Sequence, residues 1–142
     1  LTLLRERGVA LSQVSPVYET APVGGPAGQG VFYNLVVAAN TSLSPKALLT
    51  TLQGIEHELG RVRVEKNGPR IIDLDILTYN ELVLTDAHLQ IPHPRLQERM
   101  FVLAPWVAIA PDYVVPKLDT SVQSLFDKLN EPPPKAVQAL QL

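Results

Sequence analysis

The chain has 142 residues, 46% of them apolar and 18% charged, with a formal net charge of −2. That length suits one domain with a real core, and the near-neutral balance gives no global support for binding nucleic acid or membranes. Cysteine is absent, which excludes disulfides, thiolate nucleophiles and cysteine-based metal sites and agrees with a reducing compartment.

"LTLLRERG" reads as the end of a helix stopped by Gly8, with basic residues where they suit the helix dipole. "VALSQVSPVYETAP" alternates and is rich in β-branched residues, predicting a strand from Val9 to Tyr18 in which Pro16 marks an edge or bulge. "VGGPAGQG", with four glycines and a proline, is expected to be a mobile loop covering a site; it matches neither the Walker nor the Rossmann phosphate motif. "VFYNLVVAANTSL" predicts a second strand. Ser44 as N-cap and Pro45 at the first helical position then open a helix with Leu48, Leu49, Leu52, Ile55 and Leu59 at helical spacing, ended by Gly60. "RVRVEKNGP" is expected as a basic loop, "RIIDLDILTY" as a strand, and "NE" as a tight turn into "LVLT". After the "IPHPRL" loop a short helix is expected from Gln97 to Ala108, then a strand at "YVVP" and a helix over "SVQSLFDKLN" capped by Ser121. Residues 1–130 are read as one domain and 131–142 as a proline-containing tail. The longest apolar run, "MFVLAPWVAIA", is broken by proline and too short to cross a bilayer, and no signal-peptide pattern opens the chain; a cytoplasmic protein is expected.

Strand geometry puts Asp73 and Asp75 on one face and Ile72, Leu74 and Ile76 on the other. The apolar face gains from burial, whereas the acidic face carries like charges and needs water, cations or a ligand. The plain alternative is an edge with two solvated acids. An oxygen-only pair otherwise suits Mg²⁺, which binds through one or two carboxylates and takes its remaining ligands from water and substrate phosphates. Arg61, Arg63, Lys66 and Arg70 lie just upstream, and guanidinium forks bind phosphate oxygens bidentately. Such a run can equally be a solvated basic loop. His93, between two prolines, is either structural or a donor to a phosphate. Phe32 and Asn34 share a strand face; they are either core packing or, with Phe101, a stacking and edge-reading set for a flat heterocycle.

Taken in order, "SPVYETAPVG", "FYN", "ELGRVR", "NGPRIIDLDIL" and "IPHPRLQERMFVLAPWVAIAP" resemble the 6-hydroxymethyl-7,8-dihydropterin pyrophosphokinase family of folate biosynthesis. The resemblance runs from Ser15 to Pro116. It implies an α+β fold: a ferredoxin-like antiparallel sheet with helices packed on it, in the order β-α-β-β-α-β. The family's first strand, with its Gly-Ser-Asn turn, is not in the chain. The implied reaction is transfer of an intact diphosphate from ATP to the pterin hydroxymethyl group, releasing AMP, with two Mg²⁺ ions as cofactors.

By this resemblance Asp73 and Asp75 would hold the two metals. Arg61 and Arg63 would lie on a loop closing over the phosphates and act with Arg70. Gln53, Glu56, Arg70, Ile76, His93 and Arg99 would contact ATP. Thr20, Ala21 and Val23 would offer main-chain groups to the reduced pterin, Asn34 would read its edge, and Phe32 and Phe101 would sandwich the ring. Asn67 stands where many members carry tryptophan, and Lys66 replaces a common arginine. No nucleic-acid or membrane partner is expected, while association or fusion with neighbouring folate-pathway enzymes stays open. An RNA-binding module would also use such a sheet, but the chain lacks its glycine and aromatic motif. A non-catalytic relative that binds pterin or nucleotide is the third reading, and it would have no need of two metal-binding carboxylates.

Overall fold

A computed structural model describes residues 1–20, 32–62 and 73–138. The expected glycine-rich loop, most of the expected basic loop and the first residues of the expected 70–79 strand lie outside the described residues. Helix α1 (Thr2–Glu6) is followed by Gly8 at φ +92°, a left-handed conformation that glycine adopts without steric cost. The chain then enters β1 (Val9–Val14) and β2 (Val17–Thr20), and after the undescribed segment β3 (Phe32–Asn34) and β4 (Val37–Thr41).

Each of the two strands expected here is divided. The cause is Pro16, which has no N–H to give to a ladder. Opposite it, Leu35 and Val36 also leave the ladder, and Ser15 bridges the gap. The Ser15 N–H donates to the Val36 carbonyl at 2.9 Å, and the Val36 N–H donates to Ser15 Oγ at 2.9 Å. Ser15 Oγ in turn donates to the Pro16 carbonyl at 2.8 Å, so this fully buried hydroxyl (0% exposed) is satisfied as both donor and acceptor. β1 pairs antiparallel with β4, and β2 with β3, so the halves form one kinked hairpin.

Helix α2 (Pro45–Val62) starts as its sequence predicts, with Ser44 Oγ accepting the Ala47 N–H at 3.2 Å. It does not stop at Gly60. A glycine ends a helix when it turns left-handed; Gly60 does not, and it is carried as an ordinary helical residue for two residues more. Leu52 and Ile55 on its inner face join Leu4, Val9, Ile76, Leu89 and Ile91 in one core cluster.

Residues 73–76 keep the expected period of two in their burial, which is lost over 77–79, where all three residues are half-buried. Asp73 and Asp75 are exposed, Leu74 is half-buried and Ile76 is 8% exposed. They belong to none of the ladders among the described residues. A turn follows at Asn80, with the Leu82 N–H donating to the Tyr79 carbonyl at 3.0 Å.

β5 (Leu84–Thr85) and β6 (Gln90–Ile91) make a short ribbon, followed by a cis Ile91–Pro92 peptide and a 3₁₀ turn over Leu96–Glu98. Helix α3 (Met100–Ile109), the ribbon of β7 (Val114–Val115) with β8 (Thr120–Ser121), and helix α4 (Val122–Leu129) complete a second core cluster. It is built from Val36, Leu96, Leu103, Trp106, Val115, Val122 and Leu125. Ser121 caps α4 as expected, its Oγ accepting the Ser124 N–H at 3.1 Å. The C-terminal segment carries β9 (Lys135–Gln138), which pairs antiparallel with β2. The α+β class with antiparallel pairing is therefore what forms, in five ladders grouped into four sheets among the described residues.

Ser15→Ala should leave the Val36 N–H buried without an acceptor and lower unfolding stability by roughly 1–3 kcal/mol. Urea unfolding followed by circular dichroism measures this, and an unchanged midpoint would show that the hydroxyl does not hold the kink.

Candidate active site

Glu56 on α2 and the loop carrying His93, Arg95 and Arg99 are brought against the Asp73–Tyr79 segment. Outside the described ladders, this segment is held by hydrogen bonds: the Tyr79 hydroxyl donates to the Leu43 carbonyl, and two further bonds lie nearer the aspartates. The Leu74 N–H donates to Glu56 Oε2 on α2 at 2.8 Å, and the Leu77 carbonyl accepts the His93 N–H at 2.9 Å. The first of these two bonds fixes the peptide that joins Asp73 to Leu74. The second brings the histidine loop against the same segment.

His93 is half-buried, and its Nδ1 accepts the Arg95 N–H at 3.3 Å, which leaves Nε2 as the other ring nitrogen. Burial holds its pKa below 6.5; the negative charge of Asp75 pulls the other way, and the positive charges of Arg99 and Arg95 add to the lowering. Asp75, His93, Arg95 and Arg99 thus share one electrostatic neighbourhood. The Arg99 guanidinium carbon also lies 5.6 Å from the centre of the Phe101 ring, a cation–π contact at the start of α3. Phe101 is 38% exposed, and a large apolar ring at the surface is available for stacking.

Of the residues expected at the site, Glu56, Asp75, Ile76, His93, Arg99 and Phe101 are brought together by these contacts. Asp73 flanks Leu74 on the same exposed face as Asp75. Gln53 is exposed on α2, one turn before Glu56. Asn34 ends β3 opposite Tyr18, on the ribbon that packs against α3. Thr20, Phe32 and Arg61 have described backbone only, at the ends of β2, β3 and α2, whereas Ala21, Val23, Arg63 and Arg70 lie outside the described residues.

Two features go beyond the sequence expectations. Arg95 follows His93 by two residues, a spacing that brings its N–H back to the ring. Glu56 was expected at the nucleotide, yet one of its carboxylate oxygens is taken by the Leu74 amide.

Two carboxylates on an open face fit a hard, oxygen-seeking cation such as Mg²⁺. Among the described residues no cluster of three or more His, Cys, Asp or Glu side chains offers the donor set of a dedicated zinc site.

An antiparallel α+β unit that sets an acidic pair beside a histidine and arginines is suited to handling phosphates with a metal. The chain belongs to the 7,8-dihydro-6-hydroxymethylpterin-pyrophosphokinase (HPPK) family, whose sequence pattern matches residues 1–111. It is 41% identical over 123 residues to the 2-amino-4-hydroxy-6-hydroxymethyldihydropteridine pyrophosphokinase of Synechocystis, a match covering 87% of this chain and 62% of that protein. The enzyme of the same name from Bacillus subtilis is 47% identical over 107 residues, 75% of this chain and 64% of the relative. The folic acid synthesis protein fol1 of Pneumocystis carinii is 45% identical over 123 residues, which cover 87% of this chain but 16% of that protein. The chain therefore spans less than two thirds of the length of these relatives.

The histidine gives a direct check on this geometry. Because burial disfavours the charged ring, the folded protein binds fewer protons here than the unfolded chain, so His93 withdraws stability as pH falls from about 6.5 through the folded-state midpoint. In an NMR titration of the protein without ligands its imidazole should titrate below 6.5. A midpoint above that value would mean that the carboxylate at Asp75 dominates over burial.

Proposed function

We propose that this chain catalyses Mg²⁺-dependent transfer of diphosphate from ATP to the hydroxymethyl group of 6-hydroxymethyl-7,8-dihydropterin, releasing AMP. The observation that carries the reading is the exposed Asp73/Asp75 face set beside His93 and Arg99. The family match and the names of the relatives agree with it.

In this reaction the pterin hydroxyl oxygen bonds to the β-phosphorus, the bridging oxygen between the α- and β-phosphorus leaves with AMP, and the hydroxyl proton passes to solvent. Asp73 and Asp75 would hold two Mg²⁺ ions, which when bound neutralise phosphate oxygens and align attacking and leaving groups. The rest falls to this chain's own groups. Arg61, Arg63, Arg70 and Arg99 bind phosphate oxygens, and His93 donates a hydrogen bond from Nε2 while its Nδ1 is engaged by the Arg95 amide. Gln53, Glu56 and Ile76 lie toward the nucleotide. Phe32 and Phe101 hold the pterin ring, Asn34 reads its edge, and main-chain groups of Thr20, Ala21 and Val23 complete its site.

Residues 1–130 would act as the catalytic unit, with residues 131–142 beyond it. A cytoplasmic location agrees with the substrates and with the absence of cysteine. Among the described residues no helix is long and apolar enough to cross a membrane. The small share of the fol1 protein that matches is in keeping with attachment to further folate-pathway units in some settings.

Asp75→Ala should abolish Mg²⁺-dependent AMP release in the presence of ATP and the reduced pterin while the circular dichroism spectrum stays native. Unchanged turnover would sink the metal assignment. Arg63→Ala should lower kcat by more than it weakens ATP binding, since a guanidinium on the transferred group matters most as charge shifts in the transition state. Stopped-flow turnover set against calorimetric ATP titration separates the two, and equal losses would reduce Arg63 to a binding contact.

A further inference from the structure

The bond from the Leu74 amide to Glu56 gives that glutamate a task other than contacting the nucleotide. The acidic face is carried on a segment without a described ladder partner, so its backbone orientation must come from elsewhere. Its inward side chains, Leu74 and Ile76, pack in the α2 core and set its depth. Packing decides which face turns inward but not the exact aim of each peptide, because apolar contacts are non-directional. Directional ties come from hydrogen bonds, and the one that acts on the peptide between the two aspartates is the 2.8 Å bond from the Leu74 N–H to Glu56 Oε2. Its acceptor is charged, which makes it one of the stronger and more directional kinds of hydrogen bond.

The peptide so fixed lies between the two aspartates. Holding its plane determines where the Cα–Cβ bond of Asp73 points, and Asp75 follows two residues on along the same strand-like pleat. Glu56 itself is held by its helix: Leu52, Ile55 and Leu59 of α2 pack in or against the same core, so the acceptor is presented from a rigid element.

We propose that Glu56 is a positioning residue that sets the spacing and aim of the Asp73/Asp75 carboxylates for a divalent cation, acting through the Leu74 amide. The proposal rests on the reading of Asp73 and Asp75 as metal ligands. A reach-dependent role follows. The carboxylate must span the distance from α2 to Leu74, so Glu56→Gln, which keeps an oxygen acceptor at the same reach, should preserve the arrangement. Glu56→Ala, which removes the acceptor, and Glu56→Asp, which keeps the charge but shortens the side chain by one methylene, should both lose it.

Two measurements on the full chain test this. Hydrogen exchange read by NMR should show the Leu74 amide protected in the wild type and in Glu56→Gln, and exchanging at least tenfold faster in Glu56→Ala and Glu56→Asp. Calorimetric titration of Mg²⁺ into protein saturated with α,β-methylene ATP, which cannot be cleaved at the reacting bond, should show affinity within about threefold of wild type for Glu56→Gln and at least tenfold weaker for Glu56→Asp. Leu74 exchange unchanged in both shortened variants, or Glu56→Gln as impaired as Glu56→Asp in Mg²⁺ affinity, would overturn the proposal; so would a wild type that binds no Mg²⁺ beside the nucleotide analogue. Wild-type protein that binds the metal but releases no AMP from ATP and the reduced pterin would overturn the proposed reaction and leave the role of Glu56 standing.

Discussion

Everything at the candidate site depends on a contest within the Asp73–Tyr79 segment between its buried and its exposed faces. Removing an isoleucine side chain such as Ile76 from water is worth roughly 1.5–3 kcal/mol. Two carboxylates spaced about 7 Å apart along an extended segment repel by only about 0.6 kcal/mol when water screens them. The apolar face wins, provided the acidic face stays wet. That condition is met: both aspartates are exposed while Leu74 and Ile76 pack inward. Core packing thus delivers two carboxylates to the surface side by side, where a cation or water must compensate them.

Much of this was legible in residue order because period-two alternation is a local property. The pattern survives in the burial of Asp73, Leu74, Asp75 and Ile76 although no described ladder supports it, and ends at Leu77, which packs against the second core. Ladder formation needs a partner strand, and partners are set by tertiary arrangement rather than by neighbours in sequence. The same distinction explains the kinked hairpin. Pro16 announces a break, but that Ser15 would repair it by bonding across to Val36 involves two residues 21 positions apart. Helix starts were readable from Ser44 and Ser121, whose hydroxyls act within three residues. The end of α2 was not, since Gly60 permits a stop without imposing one.

At the candidate site, residue type says more about which groups can gather than about what each one contacts. His93 and Arg99 share an electrostatic neighbourhood and Arg99 lies over the Phe101 ring, a contact that the residue types did not announce. Glu56 carries the same negative charge whatever it faces, and its bond to the Leu74 amide depends on how α2 packs rather than on neighbours in sequence. Arg95 lay within view in "PHPR" but engages the histidine through its backbone, which no side-chain pattern announces.

The Ser15 bridge has a consequence for how the molecule's stability is apportioned. It spans the break at which the lower half of the hairpin, β1 with β4, joins the core beneath α2, while Val36 and the upper half join the core around α3 and α4. The aspartate segment draws its support mainly from the first core, whereas Phe101 and Asn34 stand on elements of the second. Local unfolding follows such packing units. Loosening either core would therefore erode one side of the site before the other, and a single buried hydroxyl is part of what keeps the two in step.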